Sequence, residues 1–233
     1  MNFLLHWHLG ARDLASPTGG VGAMLPDLWR MADRRVKPAA CDPTEFLDEP
    51  RHTLLRGIEH HVAADRWFHE SPIFREGEDD ATLRLRHAGL AGRHTGLFAH
   101  VLWELCLDRA LMLRVGRASL GQAVDEGLRA AGDGGAECAD IHHFSRRERS
   151  TAERGDFQRK LAAIFRELGR GPWLDRYLAA EGIAEIVGAT RKRVGLEPPT
   201  LDDHARLVRV AGALAGRAGD AVEVILATST FAR

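Results

Sequence analysis

Tyrosine occurs once and cysteine three times in 233 residues. Cys41, Cys106 and Cys138 are odd in number, widely spaced and without a Cys-x-x-Cys pair. That argues against a disulfide framework or a thiolate zinc site and points to a reducing, cytoplasmic setting. The thiols are expected to be small core hydrophobes or surface groups. No run approaches the roughly 18 uninterrupted apolar residues that a spanning helix needs. The opening Met1-Asn2-Phe3-Leu4-Leu5-His6-Trp7-His8 has no basic segment ahead of its apolar residues and does not read as a signal peptide. An excess of one charge is also missing. With 32 Lys and Arg against 33 Asp and Glu, the net charge of −1 argues against nonspecific nucleic-acid binding, which wants a strongly basic domain. Neither a membrane nor a nucleic acid is an expected partner.

What is present is helical periodicity. A hydrophobic content of 45% can fill a substantial core. The expected fold class is all-α, a helical array forming one domain over residues 1–233. Pro50 precedes a pattern from Arg51 to Glu70, with Leu54, Leu55, Ile58 and Val62 on one side and Ser71-Pro72 closing it. A second helix is expected from Leu97 to Val115, and a third from a Ser119 cap to the glycines at 132–135. Ser150-Thr151-Ala152-Glu153 is a capping-box pattern opening a helix through Leu168. Trp173 to Ala180, Ile183 to Val194 and Leu201 to Gly216 read as three more, with Thr200 and Asp203 forming a capping-box-like start for the last. Val222 to Ala227 fits a strand or an apolar helix equally well. Loops are expected at Ala15–Gly22, Lys37–Glu49, Gly77–Gly96 and Glu197–Thr200. Gly19, Gly20 and Gly22 lack the Gly-Lys-Ser/Thr ending of a phosphate loop and read as turn residues.

Twelve histidines make their positions informative, because imidazole is a common metal ligand. At about 100° per residue, His61, Asp65 and His69 fall on the arc of Ile58 and Val62. An aspartate facing apolar company would cost several kcal/mol unless paired, hydrogen-bonded or coordinating a cation. His100 and Glu104 repeat the i, i+4 arrangement on the stripe of Leu97, Leu107 and Leu111. Facing helices with such pairs build bundle-core metal sites. His6 or His8, and Asp27, are further candidates from the front of the chain. Each has a plainer reading. A lone His-x-x-x-Asp is commonly a helix-surface hydrogen bond. His60 is expected to point to solvent, and Glu104 and Asp108 could pair with Arg109 or Arg66. His142-His143 lacks a carboxylate at i+4 and reads as structural. Mixed nitrogen and oxygen donors suit manganese, iron, zinc or magnesium, and spacing does not choose among them.

The opening Met-Asn-Phe-Leu-Leu-His-Trp-His-Leu is similar to the Met-Asn-Phe-Leu-Ala-His start of the acyl carrier protein phosphodiesterases. Gly22-Ala23-Met24-Leu25-Pro26-Asp27-Leu28 resembles their Gly-Asn-x-x-x-Asp-Phe segment. Gly57-Ile58-Glu59-His60-His61-Val62-Ala63-Ala64-Asp65 resembles their Gly-Ile-x-x-His-x-x-x-Asp helix. Val101-Leu102-Trp103-Glu104 sits where they carry an Asp-rich helix. Trp173-Leu174-Asp175-Arg176-Tyr177 and Gly188-Ala189-Thr190-Arg191 resemble their Trp-Leu-x-x-Tyr and Gly-Met-Ala-x-Arg region. The order and spacing agree along most of the chain. His100 and Glu104 stand where the family more usually has aspartates, and Leu105 and Glu59 replace histidines.

That family is a divergent, all-helical relative of the HD phosphohydrolases. Its members use a divalent cation, typically manganese, to hydrolyse the phosphodiester joining 4′-phosphopantetheine to a serine of acyl carrier protein. The resemblance implies an HD-like fold, with His6, Asp27, His61 and Asp65 as metal ligands. His100 and Glu104 would complete the shell or act as base and its partner, so that Asp65, His100 and Glu104 carry catalysis. All six are expected to converge on one pocket. Arg191, Lys192 and Arg193 offer positive charge for phosphate or for the acidic carrier protein, and read otherwise as a solvated helix face. Two rival functions stand beside this one: an HD-like phosphohydrolase acting on a nucleotide or other small phosphoester, and a non-catalytic helical metal-binding or interaction module.

Overall fold

The computed structural model describes residues 3–38, 51–142 and 150–228, and every regular element among them is helical. The eleven α-helices are α1 (Phe3–Asp13), α2 (Pro17–Ala32), α3 (Arg51–Glu70), α4 (Pro72–His87), α5 (Thr95–Val115), α6 (Arg117–Ala131), α7 (Gly134–His142), α8 (Thr151–Gly169), α9 (Asp175–Leu178), α10 (Ala180–Arg193) and α11 (Leu201–Thr228). A 3-10 turn, Pro172–Leu174, precedes α9. None of the described helices is long and apolar enough to cross a membrane. Cys106 and Cys138 are buried, the core reading of those residues, while Cys41 lies outside the described residues.

Contacts divide the chain into two compact units. The N-terminal unit takes residues 3–66 and 118–171, and the C-terminal unit takes 67–117 and 172–228. In the N-terminal unit α2 packs against α1, α7 and α8. The Trp29 indole donates to the Gly135 carbonyl at 2.9 Å, pinning α2 to the start of α7. Gly22 and Gly57 bring α2 and α3 into backbone contact. A Cβ at Gly57 would meet the Gly19 carbonyl oxygen at 2.3 Å and Gly22 Cα at 2.7 Å.

In the C-terminal unit α5 is packed by α4, α9, α10 and α11. It buries residues on nearly every side, from Phe98 and Val101 to Trp103, Leu105 and Leu107, as a helix hydrophobic all round must. Glu104 and Asp108 are buried with them, so a carboxylate in this core needs compensation.

The expected helices at Arg51–Glu70 and Leu97–Val115 are present as α3 and α5, and the Ser150 capping box closes in both directions. Thr200 and Asp203 exchange backbone-to-side-chain bonds at 3.1 and 3.2 Å. Two loop expectations are corrected. Ala15–Gly22 becomes the start of α2, because the Ser16 hydroxyl accepts from Gly19 N–H and Pro17 sits in the first turn. Its glycines are helical and serve close packing, not a turn. Gly77–Gly96 is largely α4, capped by Ser71 with Pro72 in its first turn and burying Phe74, Gly77, Ala81 and Leu85. That stripe is diluted by Arg75, Glu76, Glu78, Asp79 and Asp80. Ser119 lies inside α6, not at its cap, and α7 begins at the glycines that the sequence offers as a helix end. Val222–Ala227 is the end of α11, which extends well past Gly216 because Leu214, Ala218, Ala221, Val222 and Ile225 continue one buried stripe. The Lys37–Glu49 expectation falls mostly outside the described residues, as does His143.

Candidate metal centres

Among the described residues, two groups of histidine and carboxylate could each hold a metal ion. In the N-terminal unit these are His6, His61 and Asp65, and in the C-terminal unit His69, His100 and Glu104. Within each group the potential ligand atoms lie within 4.8 Å of one another. Of the six expected ligands, His6, His61 and Asp65 fall in one group and His100 and Glu104 in the other, with His69 joining the second, and Asp27 is in neither.

The first group depends on α1, α2 and α3 approaching closely. His6 from α1 and His61 from α3 place their ring centroids 4.1 Å apart. Both are buried. His61 Nδ1 lies 2.8 Å from the Ala23 carbonyl of α2. A carbonyl oxygen only accepts, so Nδ1 carries the proton and Nε2 keeps its lone pair. Burial, followed by the neighbouring His6, pushes His61 down to about 4, against opposing pulls from Asp27, Asp65 and the Ala23 carbonyl. At neutral pH the ring is uncharged. This neutral tautomer, oriented through its other nitrogen, is the form in which histidine ligates metals.

His6 Nε2 lies 3.7 Å from Asp65 Oδ1, beyond hydrogen-bond reach. Its Nδ1 is buried and makes no hydrogen bond among the described residues. A buried polar atom without a partner is a costly arrangement, and a cation would relieve this one only by binding Nδ1 itself. The Asp65 side chain is 44% exposed, which corrects the expectation that it faces the core. The cost of burial attaches to His6 and His61, and Asp65 stands at the open side of the group. Val62, expected on the same apolar arc, is exposed as well. Asp27 is half-buried and near enough for its charge to act on His61. Imidazole nitrogens and carboxylate oxygens without thiolate form a donor set that fits a divalent cation.

His60 and His8 take other roles. His60 is buried, not solvent-facing: its Nε2 donates to Asp13 at 2.9 Å, and Asp13 also accepts from Arg12 Nε at 2.6 Å. Burial lowers His60 despite Asp13, whose hydrogen bond and charge raise it. His8 is half-buried, lowered first by burial and then by Arg12. Of the two early histidines, His6 is the one that joins the group.

No family model, curated protein or solved structure matches this chain.

The second group is arranged differently. His69 and His100 stack at 5.0 Å between centroids and 14° between planes, with the Phe74 ring edge-on to both. His100 Nε2 lies 3.3 Å from Glu104 Oε1, and its Nδ1 lies 3.6 Å from Glu78 Oε1. Burial alone would raise Glu104, but neighbouring positive charge and hydrogen bonds, His100 among them, outweigh it and hold the carboxyl down at about 2. The imidazole here already has a carboxylate at Nε2. Glu78 carries no signal in the sequence, because it lies in the charge-rich stretch of α4 whose composition is that of a loop. Of the expected partner residues, the Arg191 guanidinium lies 5.7 Å over the Phe98 ring and donates to the Glu197 carbonyl, and Lys192 is exposed.

Proposed function

We propose that the protein is a divalent-cation-dependent phosphodiesterase whose site is the His6–His61–Asp65 group. Manganese is the favoured ion and holo-acyl carrier protein the favoured substrate. One observation carries the metal: His61 is held neutral, with Nδ1 fixed on the Ala23 carbonyl and Nε2 left to ligate beside His6 and Asp65. The phosphodiester and the carrier protein come from the collinear sequence resemblance, including the Gly57–Asp65 segment that supplies two members of the group. A reducing cytoplasm suits the two buried thiols, and burial pushes Cys106 up to about 12, which leaves it inert.

A divalent cation held there supplies Lewis acidity, lowering the pKa of a water and neutralising charge on phosphoryl oxygens. The chain's own residues do the rest. His6 and His61 form the buried side of the donor set and exclude solvent from it. Asp65, half exposed, contributes the negative charge that retains a dication where a substrate can arrive. Asp27 adds to that negative field. Arg191 and Lys192 offer cationic contacts to an acidic carrier protein. In the C-terminal unit, His69, His100 and Glu104 are a second donor set able to take an ion of its own.

The test is manganese-dependent hydrolysis of a generic aryl phosphodiester and of holo-acyl carrier protein by wild type and Asp65→Asn, with melting temperatures measured alongside. Removing a ligand charge without changing shape should cut turnover more than about 100-fold while the fold survives. An Asp65→Asn protein that melts earlier but hydrolyses normally contradicts the assignment. Hydrolysis of the generic ester alone replaces the carrier protein with a nucleotide or other small phosphoester. Manganese binding without hydrolysis of any phosphoester leaves a non-catalytic metal-binding module.

A further inference from the structure

The C-terminal unit has a cationic recess that the metal reading does not use. Arg84, His87 and Gly89, at the end of α4, and Arg206 and Arg209, on α11, border a cavity of about 630 Å³. No carboxylate is among its lining residues. Two of the three guanidiniums are held in place by bonds that leave donors over. Arg84 Nε donates to Asp80 at 2.9 Å, and its two terminal nitrogens lie outside that bond. Arg206 donates from one terminal nitrogen to the Ala88 carbonyl at 3.2 Å and from the other to Asp202. Arg209 and His87 are exposed and enter no ion pair found among the described residues.

The end of α4 is closed in a way that lessens the negative charge a helix C-terminus turns outward. Gly89 takes φ +71°, its N–H bonds the Arg86 carbonyl at 3.0 Å, and Leu90 N–H bonds the Leu85 carbonyl at 2.9 Å. This glycine-terminated closure engages the carbonyls that would otherwise project negative charge into the recess. Arg206 covers the Ala88 carbonyl as well. Asp80 and Asp202 offset two of the three arginine charges, and Arg209 remains in surplus, joined by His87 when protonated.

We propose that this recess binds the phosphoryl group of a small soluble phosphorylated ligand. Guanidinium forks match phosphate oxygens in pairs, which a point charge does not. The volume lies in the range of about 300–1,000 Å³ typical of small-molecule sites. The inference is independent of the metal group and is tested without it.

Inorganic pyrophosphate is titrated calorimetrically into the full chain, in chelator, at about 0.1 M salt, where long-range attraction between exposed charges is largely screened. Saturable binding to one site is expected. Arg209→Gln should weaken it several-fold with an unchanged melting temperature, because no ion pair is lost. Arg84→Gln combined with Arg209→Gln should weaken it roughly tenfold or more, and Arg159→Gln on α8 should change nothing. No saturable heat, equal affinity in the Arg209→Gln protein, or equal binding of a short polyglutamate peptide overturns the proposal.

Discussion

The two donor sets are built from the same residue types, and they differ in what the imidazoles already touch. In the N-terminal unit His61 spends one nitrogen on a backbone carbonyl, and His6 keeps a buried nitrogen without a hydrogen bond among the described residues. In the C-terminal unit His100 Nε2 pairs with Glu104 Oε1 at 3.3 Å, so that imidazole and carboxylate compensate one another, while Nδ1 lies 3.6 Å from Glu78 Oε1, beyond hydrogen-bond reach. In the first set a buried imidazole nitrogen of His6 lacks a hydrogen bond among the described residues, and in the second the imidazole of His100 is paired with a buried carboxylate. A buried polar group left short costs stability unless something joins it, which is why the cation is assigned to the first. A self-compensated cluster is sufficient reason for a carboxylate to sit in a core, and metal is not required to explain it.

The largest expected effect comes from the contact that assembles the first set. In Gly57→Ala the new methyl meets backbone at 2.3 Å from Gly19 and 2.7 Å from Gly22, and backbone cannot rotate away as a side chain can. Overpacking of this kind costs about 3 kcal/mol. The separation of α2 from α3 should also break the His61–Ala23 bond. Manganese affinity and melting temperature should fall together in calorimetric and thermal titrations, and a variant that keeps both would show that helix approach does not set the site.

The sets also separate along the pH axis. His61 titrates at 6.5 in the unfolded chain and at about 4 in the fold. Between those values the unfolded state binds the additional proton. Its contribution is therefore complete above 6.5 and is lost as pH falls towards 4, a difference of about 3 kcal/mol. Glu104 goes from 4.5 unfolded to about 2 in the fold. Its contribution is present above 4.5 and is lost as pH falls from there to 2. Urea unfolding of metal-free protein across this range should show the His61 loss first, and His61→Gln should flatten the upper part of the curve alone. An unchanged curve in that variant would place the loss elsewhere.

The smallest effect on the metal distinguishes the second set most cleanly. Glu104→Gln removes the charge opposite His100 but keeps the shape. It should cost up to about 3 kcal/mol at neutral pH in thermal unfolding, the size of the Glu104 shift, and leave manganese affinity at the first set unaltered. A fall in that affinity would show that Glu104 serves the same ion.

Much of this comparison could be read from residue order, and the limits have physical causes. The i, i+4 spacing on α3 and α5 was enough to flag His61, Asp65, His100 and Glu104, because a helix fixes which side chains stack. It did not say which of them are buried: Asp65 is half exposed and Val62 faces out, while His60 is buried against Asp13. Those outcomes depend on which neighbour covers α3, and periodicity within one helix carries no information about its neighbour. Gly19, Gly20 and Gly22 read as a turn because glycine has low helix propensity. Contact with Trp7, Leu54 and Gly57 overrides that preference. The split into two donor sets follows from long-range packing, which a helical wheel does not contain.

Anomalous diffraction at the manganese edge, from crystals of the full chain grown with Mn²⁺, addresses the central claim directly. The account predicts a peak at about 2.2 Å from His61 Nε2 and from an Asp65 oxygen, with His6 as a further ligand. A crystal with no peak at these side chains, or with manganese bound only at His69, His100 and Glu104, would contradict it.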